Sequence, residues 1–86
     1  MTSANPISIT VYSKSQCGQC DATKLILDKA DVPYTVIDIF DDPATLPYLQ
    51  GLGHMAAPVV VVDENTHWAG FNREKLGALV GAFNAA

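Results

Sequence analysis

The residues with the clearest chemical potential are the two cysteines, Cys17 and Cys20, which a Gly-Gln pair separates in the segment SKSQCGQCDATK. A C-x-x-C pair can serve as a redox-active dithiol, as half of a zinc site or as a structural disulfide. Each use requires different surroundings. The elements before and after the pair therefore decide among the three.

The pair lies between a predicted strand and a predicted helix. Residues 7–12 alternate apolar and polar side chains and include several β-branched residues, which is typical of a strand. Across residues 18–30 the apolar side chains recur at three- and four-residue steps, which predicts a helix that ends before Pro33. Residues 34–39 are predicted to form a second strand. A C-x-x-C pair at the start of the helix in such a βαβ unit favours a dithiol redox site.

The second half of the chain predicts two helices around two strands. A short helix is expected after Asp42 as its N-cap, with Pro43 in its first turn and an end near Gly51 or Gly53. The apolar run at residues 58–62 indicates a central buried strand, and residues 66–69 a short one. Asn72 is expected to cap a last helix. The predicted fold is α/β, in the order βαβ-αββα, with a four-stranded mixed sheet flanked by three helices and residues 1–86 as one domain.

Composition narrows the class of protein. The chain has 86 residues, 49% of them hydrophobic and 16% charged, which is typical of a compact globular protein. A net charge of −4 with five dispersed basic residues argues against nucleic-acid binding. No apolar run is long enough to span a bilayer, and the N-terminus lacks the features of a signal peptide. We expect a cytoplasmic protein with no membrane partner.

The place of Cys17 at a helix N-terminus favours the thiolate, because free backbone N–H groups and the helix dipole stabilise negative charge there. A cysteine with the ordinary pKa of about 8.5 is only a few per cent thiolate at neutral pH, whereas a pKa near 7 makes it about half thiolate. A helix terminus alone does not supply all of that shift. We expect neighbouring amides and a cation, Lys14 before Lys24, to assist.

Cys20 is expected to be the resolving thiol, one helical turn further on and less exposed. Exchange proceeds through a mixed disulfide that a second thiol then attacks. Asp21 follows directly, and its negative charge is expected to keep the Cys20 thiol protonated until it is needed.

The two rival uses of the pair are less favoured. Zinc usually takes four ligands, and the two remaining candidates, His54 and His67, are thirteen residues apart. A structural disulfide would close a very small loop and would be uncommon in a reducing compartment. We therefore favour redox use of Cys17 and Cys20.

Three motifs together resemble a known family. C-G-Q-C after a strand, A-A-P-V-V-V-V, and H-W-A-G-F-N near the C-terminus look like the NrdH-type redoxins, which are small glutaredoxin-like members of the thioredoxin superfamily. The resemblance extends from Ile7 to about Phe83. It implies a thioredoxin fold, reduction by thioredoxin reductase, electron donation to class Ib ribonucleotide reductase, no bound cofactor and a monomeric state.

The resemblance also implies roles for individual residues. Cys17 is the nucleophile, Cys20 the resolving thiol and Pro58 a cis-proline facing the pair. Lys14 and Asp21 keep the supporting roles that their charges predict, independently of the resemblance. The partner-binding positions implied are the backbone of Ala57 and the residues Trp68, Gly70 and Phe71.

Glutathione use separates this family from the glutaredoxins it resembles. Glutaredoxins have T-V-P before the buried strand and an acid after the G-G turn that holds the amino end of glutathione. Here those positions read A-A-P and carry Arg73, so glutathione is expected to bind poorly. The chain also departs from the usual W-S-G-F-R-P-D pattern, with W-A-G-F-N-R-E in its place.

Two alternatives remain open at this point. One is a glutathione-dependent glutaredoxin. The other is a carrier of an iron–sulfur cluster held by Cys17 and glutathione, because some glutaredoxins with glycine at the position of Gly18 bind such a cluster. Both need glutathione, so Arg73 counts against both.

Overall fold

The computed structural model describes residues 7–85, and its elements follow the predicted order. Strands and helices alternate in the first half, and the second half runs helix, two strands and helix. The elements are β1 (Thr10–Ser13), α1 (Gly18–Lys29), β2 (Thr35–Asp38), α2 (Thr45–Gly51), β3 (Val59–Asp63), β4 (Thr66–Ala69) and α3 (Arg73–Ala85).

The four strands form one mixed sheet in the order β2-β1-β3-β4. β1 and β2 are parallel, as a βαβ unit requires, while β3 is antiparallel to both β1 and β4. β3 is an interior strand, and Val59 and Val60 in it are fully buried. The predicted fold class and the predicted central strand are both confirmed.

The sheet divides the interior into two clusters of different size. Residues paired across strands share a face of a sheet, so Val11, Val60 and Trp68 lie on one face, whereas Val59 and Val61 lie on the other. The large core contains Ile9, Val11, Leu27, Val32, Val60, Trp68, Leu76 and Leu79. The small core contains Ile39, Leu49, Val59 and Val61.

Helices cover both faces, as predicted. α1 and α3 contact each other and supply Leu27, Leu76 and Leu79 to the large core. α2 supplies Leu49 to the small core. Within residues 7–85, no helix combines the length and apolar character needed to cross a bilayer.

The start of α2 corrects one prediction. The helix begins at Thr45 and its N-cap is Ala44, whose side chain makes no capping hydrogen bond. Asp42 instead closes a tight turn before the helix, where its Oδ1 accepts a hydrogen bond from the Ala44 N–H at 2.9 Å. An Asp two residues before its backbone donor forms such turns as readily as caps, which explains the error. The predicted end at Gly51 is confirmed.

The cap of α3 was predicted correctly. Asn72 Oδ1 accepts a hydrogen bond from the Lys75 N–H at 2.9 Å, and the helix starts at Arg73. This cap fixes the point at which the chain leaves β4 and turns into the helix. It therefore fixes the loop between them, Gly70 and Phe71, which borders the cysteine pair.

Candidate functional site

The cysteine pair lies at the C-terminal end of β1, where the chain turns into α1. Cys17 and Cys20 form a disulfide, with their Cα atoms 5.2 Å apart. Cys17 is the N-cap of α1, and its Sγ accepts a hydrogen bond from the Cys20 N–H at 3.1 Å. A sulfur in this position accepts a hydrogen bond from a free backbone N–H at the helix N-terminus. The same arrangement stabilises the Cys17 thiolate once the disulfide is reduced.

The two cysteines differ in exposure to solvent. Cys17 retains 9% of its surface, whereas Cys20 is fully buried. A nucleophile must reach a partner's disulfide, and a resolving thiol must reach only the mixed disulfide. The expectation that Cys20 is less exposed than Cys17 is confirmed. Their roles as resolving thiol and nucleophile stay predictions.

Pro58 lies beside the end of β1 because the next residue, Val59, pairs with Tyr12. The Ala57–Pro58 peptide bond is cis, as predicted, and Pro58 is fully buried. Its carbonyl oxygen accepts a hydrogen bond from the Gly70 N–H at 2.7 Å. The loop before β3 is thereby joined to the loop after β4.

Gln19 makes a contact that the sequence did not reveal. Its side-chain Oε1 accepts a hydrogen bond from the Phe71 N–H at 3.0 Å, across 52 residues of chain. Gly70 has φ +82°, and a Cβ at that position would lie 3.3 Å from the same oxygen. The one signal in the sequence was the glutamine of C-G-Q-C, which counted only as part of a motif.

The predicted charged residues Lys14 and Asp21 are exposed and lie in separate environments. Lys14 is exposed and lines a groove of about 320 Å³ together with Phe40, Met55 and Ala57. Asp21 is exposed, and its Oδ1 lies 3.8 Å from Lys24 Nζ. The expected effect of the Asp21 charge on the Cys20 thiol stays a prediction.

The three remaining partner-binding candidates occupy different environments. Trp68 is only 6% exposed and belongs to the large core. The partner-binding role of Trp68 stays a prediction. Gly70 and Phe71 are half-buried beside the pair, and the Arg73 guanidinium carbon lies 5.9 Å from the centre of the Phe71 ring. Arg73 thus places positive charge beside the Phe71 ring.

The histidines form a pair that their separation in sequence concealed. His54 Nε2 lies 2.7 Å from His67 Nδ1, with the rings edge to face. Burial, and then the charge of His67, lower the pKa of His54 below its usual value. The contact between the two histidines was not predicted from the sequence. Nowhere in residues 7–85 do three His, Cys, Asp or Glu side chains group closely enough to hold a metal ion.

Known proteins are similar to this chain in sequence and fold. The glutaredoxin family profile matches residues 9–68, more than half of the chain. The chain belongs to the glutaredoxin family. The glutaredoxin-like protein NrdH of Lactococcus lactis subsp. cremoris (strain MG1363) is 32% identical over 71 residues, which are 83% of this chain and 97% of that protein. Its counterpart in Escherichia coli (strain K12) is 30% identical over 78 residues, 91% of this chain and 95% of that protein.

The solved structures give the same result. NrdH-redoxin from Escherichia coli superposes on this redoxin with a TM-score of 0.78 and 28% identity, over 84% of this chain and 93% of that one. The protein is therefore a glutaredoxin-like redoxin of NrdH type with a thioredoxin fold. Members of this family are thiol–disulfide oxidoreductases, and the Cys17–Cys20 pair fits the redox-active site of such an enzyme.

Proposed function

We propose that this redoxin is reduced by thioredoxin reductase and donates electrons to class Ib ribonucleotide reductase. We further propose that it works in the cytoplasm as a monomeric, single-domain protein without a bound cofactor. Thiol–disulfide chemistry is common to the whole family. The proposal concerns which reductase supplies the electrons and which protein receives them.

The observation that carries the proposal is the positive charge beside the site. Arg73 is exposed next to Phe71, where a glutaredoxin would hold the ammonium group of glutathione with an acid. A guanidinium repels that group and cannot accept its hydrogen bonds. The related redoxin from Escherichia coli is described as having a thioredoxin-like activity profile, which supports the same assignment.

The proposed reaction uses the two sulfurs in turn. The Cys17 thiolate attacks one sulfur of the client disulfide, forming a mixed disulfide and releasing the other client sulfur as a thiolate. The Cys20 thiol loses its proton and attacks Cys17 Sγ, which releases the second client sulfur. Two electrons pass to the client, and the released thiolates take up two protons. The redoxin ends in the disulfide form, which is the form in the structure.

A paired reductase assay tests the source of electrons. Oxidised redoxin is incubated with NADPH and either thioredoxin reductase or glutathione plus glutathione reductase, and NADPH oxidation is followed with insulin as the disulfide substrate. We expect turnover with thioredoxin reductase at least tenfold faster than with glutathione. Equal or faster turnover with glutathione would make the protein a glutathione-dependent glutaredoxin.

A charge reversal provides the matched variant. Arg73→Asp restores an acid at the predicted glutathione position, and Arg73 is exposed at the start of α3, where an acid is compatible with the helix dipole. We expect the variant to gain activity with glutathione while its rate with thioredoxin reductase changes less. The client is tested separately, by supplying reduced redoxin to a class Ib ribonucleotide reductase and measuring deoxyribonucleotide formation.

A further inference from the structure

Three loops meet around the disulfide, and one side chain joins the cysteine loop to the other two. The Gly70 N–H donates to Pro58 O at 2.7 Å, which connects the loop after β4 to the cis-proline loop. The Phe71 N–H donates to Gln19 Oε1 at 3.0 Å, which connects the same loop to the first turn of α1. Gln19 thus completes a chain of contacts from the helix of the cysteines to Pro58.

The local geometry around Gln19 fits this role closely. Gly70 adopts φ +82°, a conformation that residues with a side chain rarely take. A Cβ at this position would lie only 3.3 Å from Gln19 Oε1, so the absence of a side chain leaves space for the glutamine oxygen. The Gln19 backbone is held as well, because Thr23 Oγ1 donates to Gln19 O at 2.9 Å. The assignment of oxygen and nitrogen in the amide is determined by chemistry, since a backbone N–H needs an acceptor.

Neither sulfur takes part in the contact between Gln19 and Phe71. The backbone of Phe71 is anchored, and its half-buried ring packs against the large core beside Arg73. A small disulfide needs only the Cys17 sulfur, whereas a protein disulfide must also fit between the loops that border it. The position of Phe71 therefore affects the second kind of substrate more than the first.

We propose that Gln19 is a positioning residue, which holds the Gly70–Phe71 loop in place for protein disulfides through its Oε1 without altering the intrinsic reactivity of Cys17. This role depends on the thiol–disulfide exchange common to the family. It holds whichever reductase and client this redoxin uses.

Two substitutions at the same position test it. Gln19→Leu keeps the approximate size of the side chain but removes the acceptor. Gln19→Glu keeps an acceptor for the Phe71 N–H and adds a negative charge near Cys17. Asn84→Leu is the control, since it converts another exposed amide to leucine eleven residues beyond Arg73 in α3, about 16 Å along the helix axis.

Each variant is reduced chemically, freed of reductant and mixed in single-turnover experiments with insulin or with 2-hydroxyethyl disulfide. The quantity compared is the ratio of the two second-order rate constants. We expect Gln19→Leu to lower the ratio about two- to tenfold, the range that one neutral hydrogen bond yields, with the small-disulfide rate within about twofold of the wild type. We expect Gln19→Glu to slow both reactions equally, because its charge disfavours the Cys17 thiolate, and to keep the wild-type ratio. Asn84→Leu should leave both rates unchanged.

A spectroscopic measurement checks the contact itself. In 15N-labelled protein, the amide proton of Phe71 should exchange faster with solvent in Gln19→Leu than in the wild type or in Gln19→Glu. Three results would overturn the proposal: an unchanged ratio in Gln19→Leu, an equal loss on both substrates in that variant, or a ratio in Gln19→Glu that falls as far as in Gln19→Leu. Because no reductase is present, these results are independent of the assay for the source of electrons.

Discussion

The two faces of the sheet differ in how completely they are covered. On one face, α1 and α3 enclose the large core, where Leu27 and Leu76 are fully buried. On the other face, within residues 7–85, the seven-residue α2 is the one helix that supplies a side chain to the small core. Several apolar side chains around α2 remain exposed, among them Phe40 (71%) and Met55 (82%).

The difference indicates that the α1 and α3 face contributes more to the stability of the fold, whereas the α2 face offers more exposed apolar surface. Buried apolar area is the main favourable contribution to folding, and most of it lies on the α1 and α3 face. The α2 face carries the groove that includes Lys14, Met55 and Ala57, next to the cis-proline. The disulfide follows the C-terminal end of β1, at the start of α1. We expect substitutions on the two faces to have unequal effects on the free energy of unfolding.

The largest effect is expected from truncating a leucine in the large core. Leu76 has no exposed surface, so Leu76→Ala should lower the free energy of unfolding by about 3–5 kcal/mol. Leu49→Ala in the small core should lower it by about 2–3 kcal/mol, because a thinly covered site relaxes more easily around the lost atoms. Urea unfolding followed by circular dichroism gives both values. A loss at Leu49 as large as that at Leu76 would contradict the proposed inequality.

A smaller effect is expected from Tyr34, which packs against the large core. Its hydroxyl donates a hydrogen bond to Asp28 Oδ1 at 2.8 Å, and Tyr34→Phe should cost about 1 kcal/mol or less at this exposed pair. Burial first, and then the bond to Asp28, raise the pKa of Tyr34 to about 12. The folded state thus favours the protonated phenol.

The pH dependence sharpens this prediction. The stabilisation by Tyr34 should be fully present below about pH 10, the pKa of an unfolded tyrosine, and should be lost as the pH rises toward 12. The difference in unfolding free energy between the wild type and Tyr34→Phe should therefore shrink over that interval. A constant difference between pH 9 and pH 11.5 would assign the effect of the substitution to packing alone.

The histidine pair should produce a weaker, opposite pH dependence on the α2 face. His67 pairs with Val61 in the sheet and therefore lies on the face of the small core. Because burial lowers the pKa of His54 in the folded state, the unfolded state takes up protons first as the pH falls. Stability is present above about pH 6.5 and is lost as the pH falls below it.

The test of the histidine pair is a comparison of slopes. His54→Gln should make the unfolding free energy less dependent on pH between 7 and 5.5. Uptake of one whole proton on unfolding gives a slope of about 1.4 kcal/mol per pH unit, and the change in slope should be well below that value because His54 is half-exposed. Carboxylates titrate equally in both proteins and cancel in the comparison. Identical slopes would show that the pair does not couple folding to protonation.

The smallest effect is expected from the exposed apolar side chains of the α2 face. Phe40→Ser and Met55→Ser remove side chains that are mostly in solvent, so each should change the unfolding free energy by no more than about 0.5 kcal/mol. Thermal unfolding with Leu25→Ser, an exposed residue on α1, serves as the control. A loss above about 1 kcal/mol at Phe40 or Met55 would mean that the α2 face contributes more to stability than its coverage suggests.

Much of the fold was predictable because its signals are local. The period of the apolar residues predicted β1, α1 and α3, and turn, proline and glycine signals delimited α2 and β4. The run at residues 58–62 predicted the interior strand, and Asn72 marked the start of α3. The N-cap of α2 was wrong because Asp42 satisfies a nearby N–H in a turn as well as in a cap. Such choices depend on energy differences that the neighbouring packing decides.

The cis form of the Ala57–Pro58 bond was implied only by the resemblance to the NrdH-type redoxins. The sequence by itself determined the local chemistry: a C-x-x-C pair at a helix start and a cation, Arg73, three residues after Gly70. Spacing along the chain and side-chain charge carry that information. Only the tertiary structure decided which distant groups meet, since the contacts of Gln19 with Phe71 and of His54 with His67 join residues 52 and 13 positions apart. It also decided that Trp68 is buried, because whether a side chain on an edge strand faces core or solvent depends on the helices packed over it.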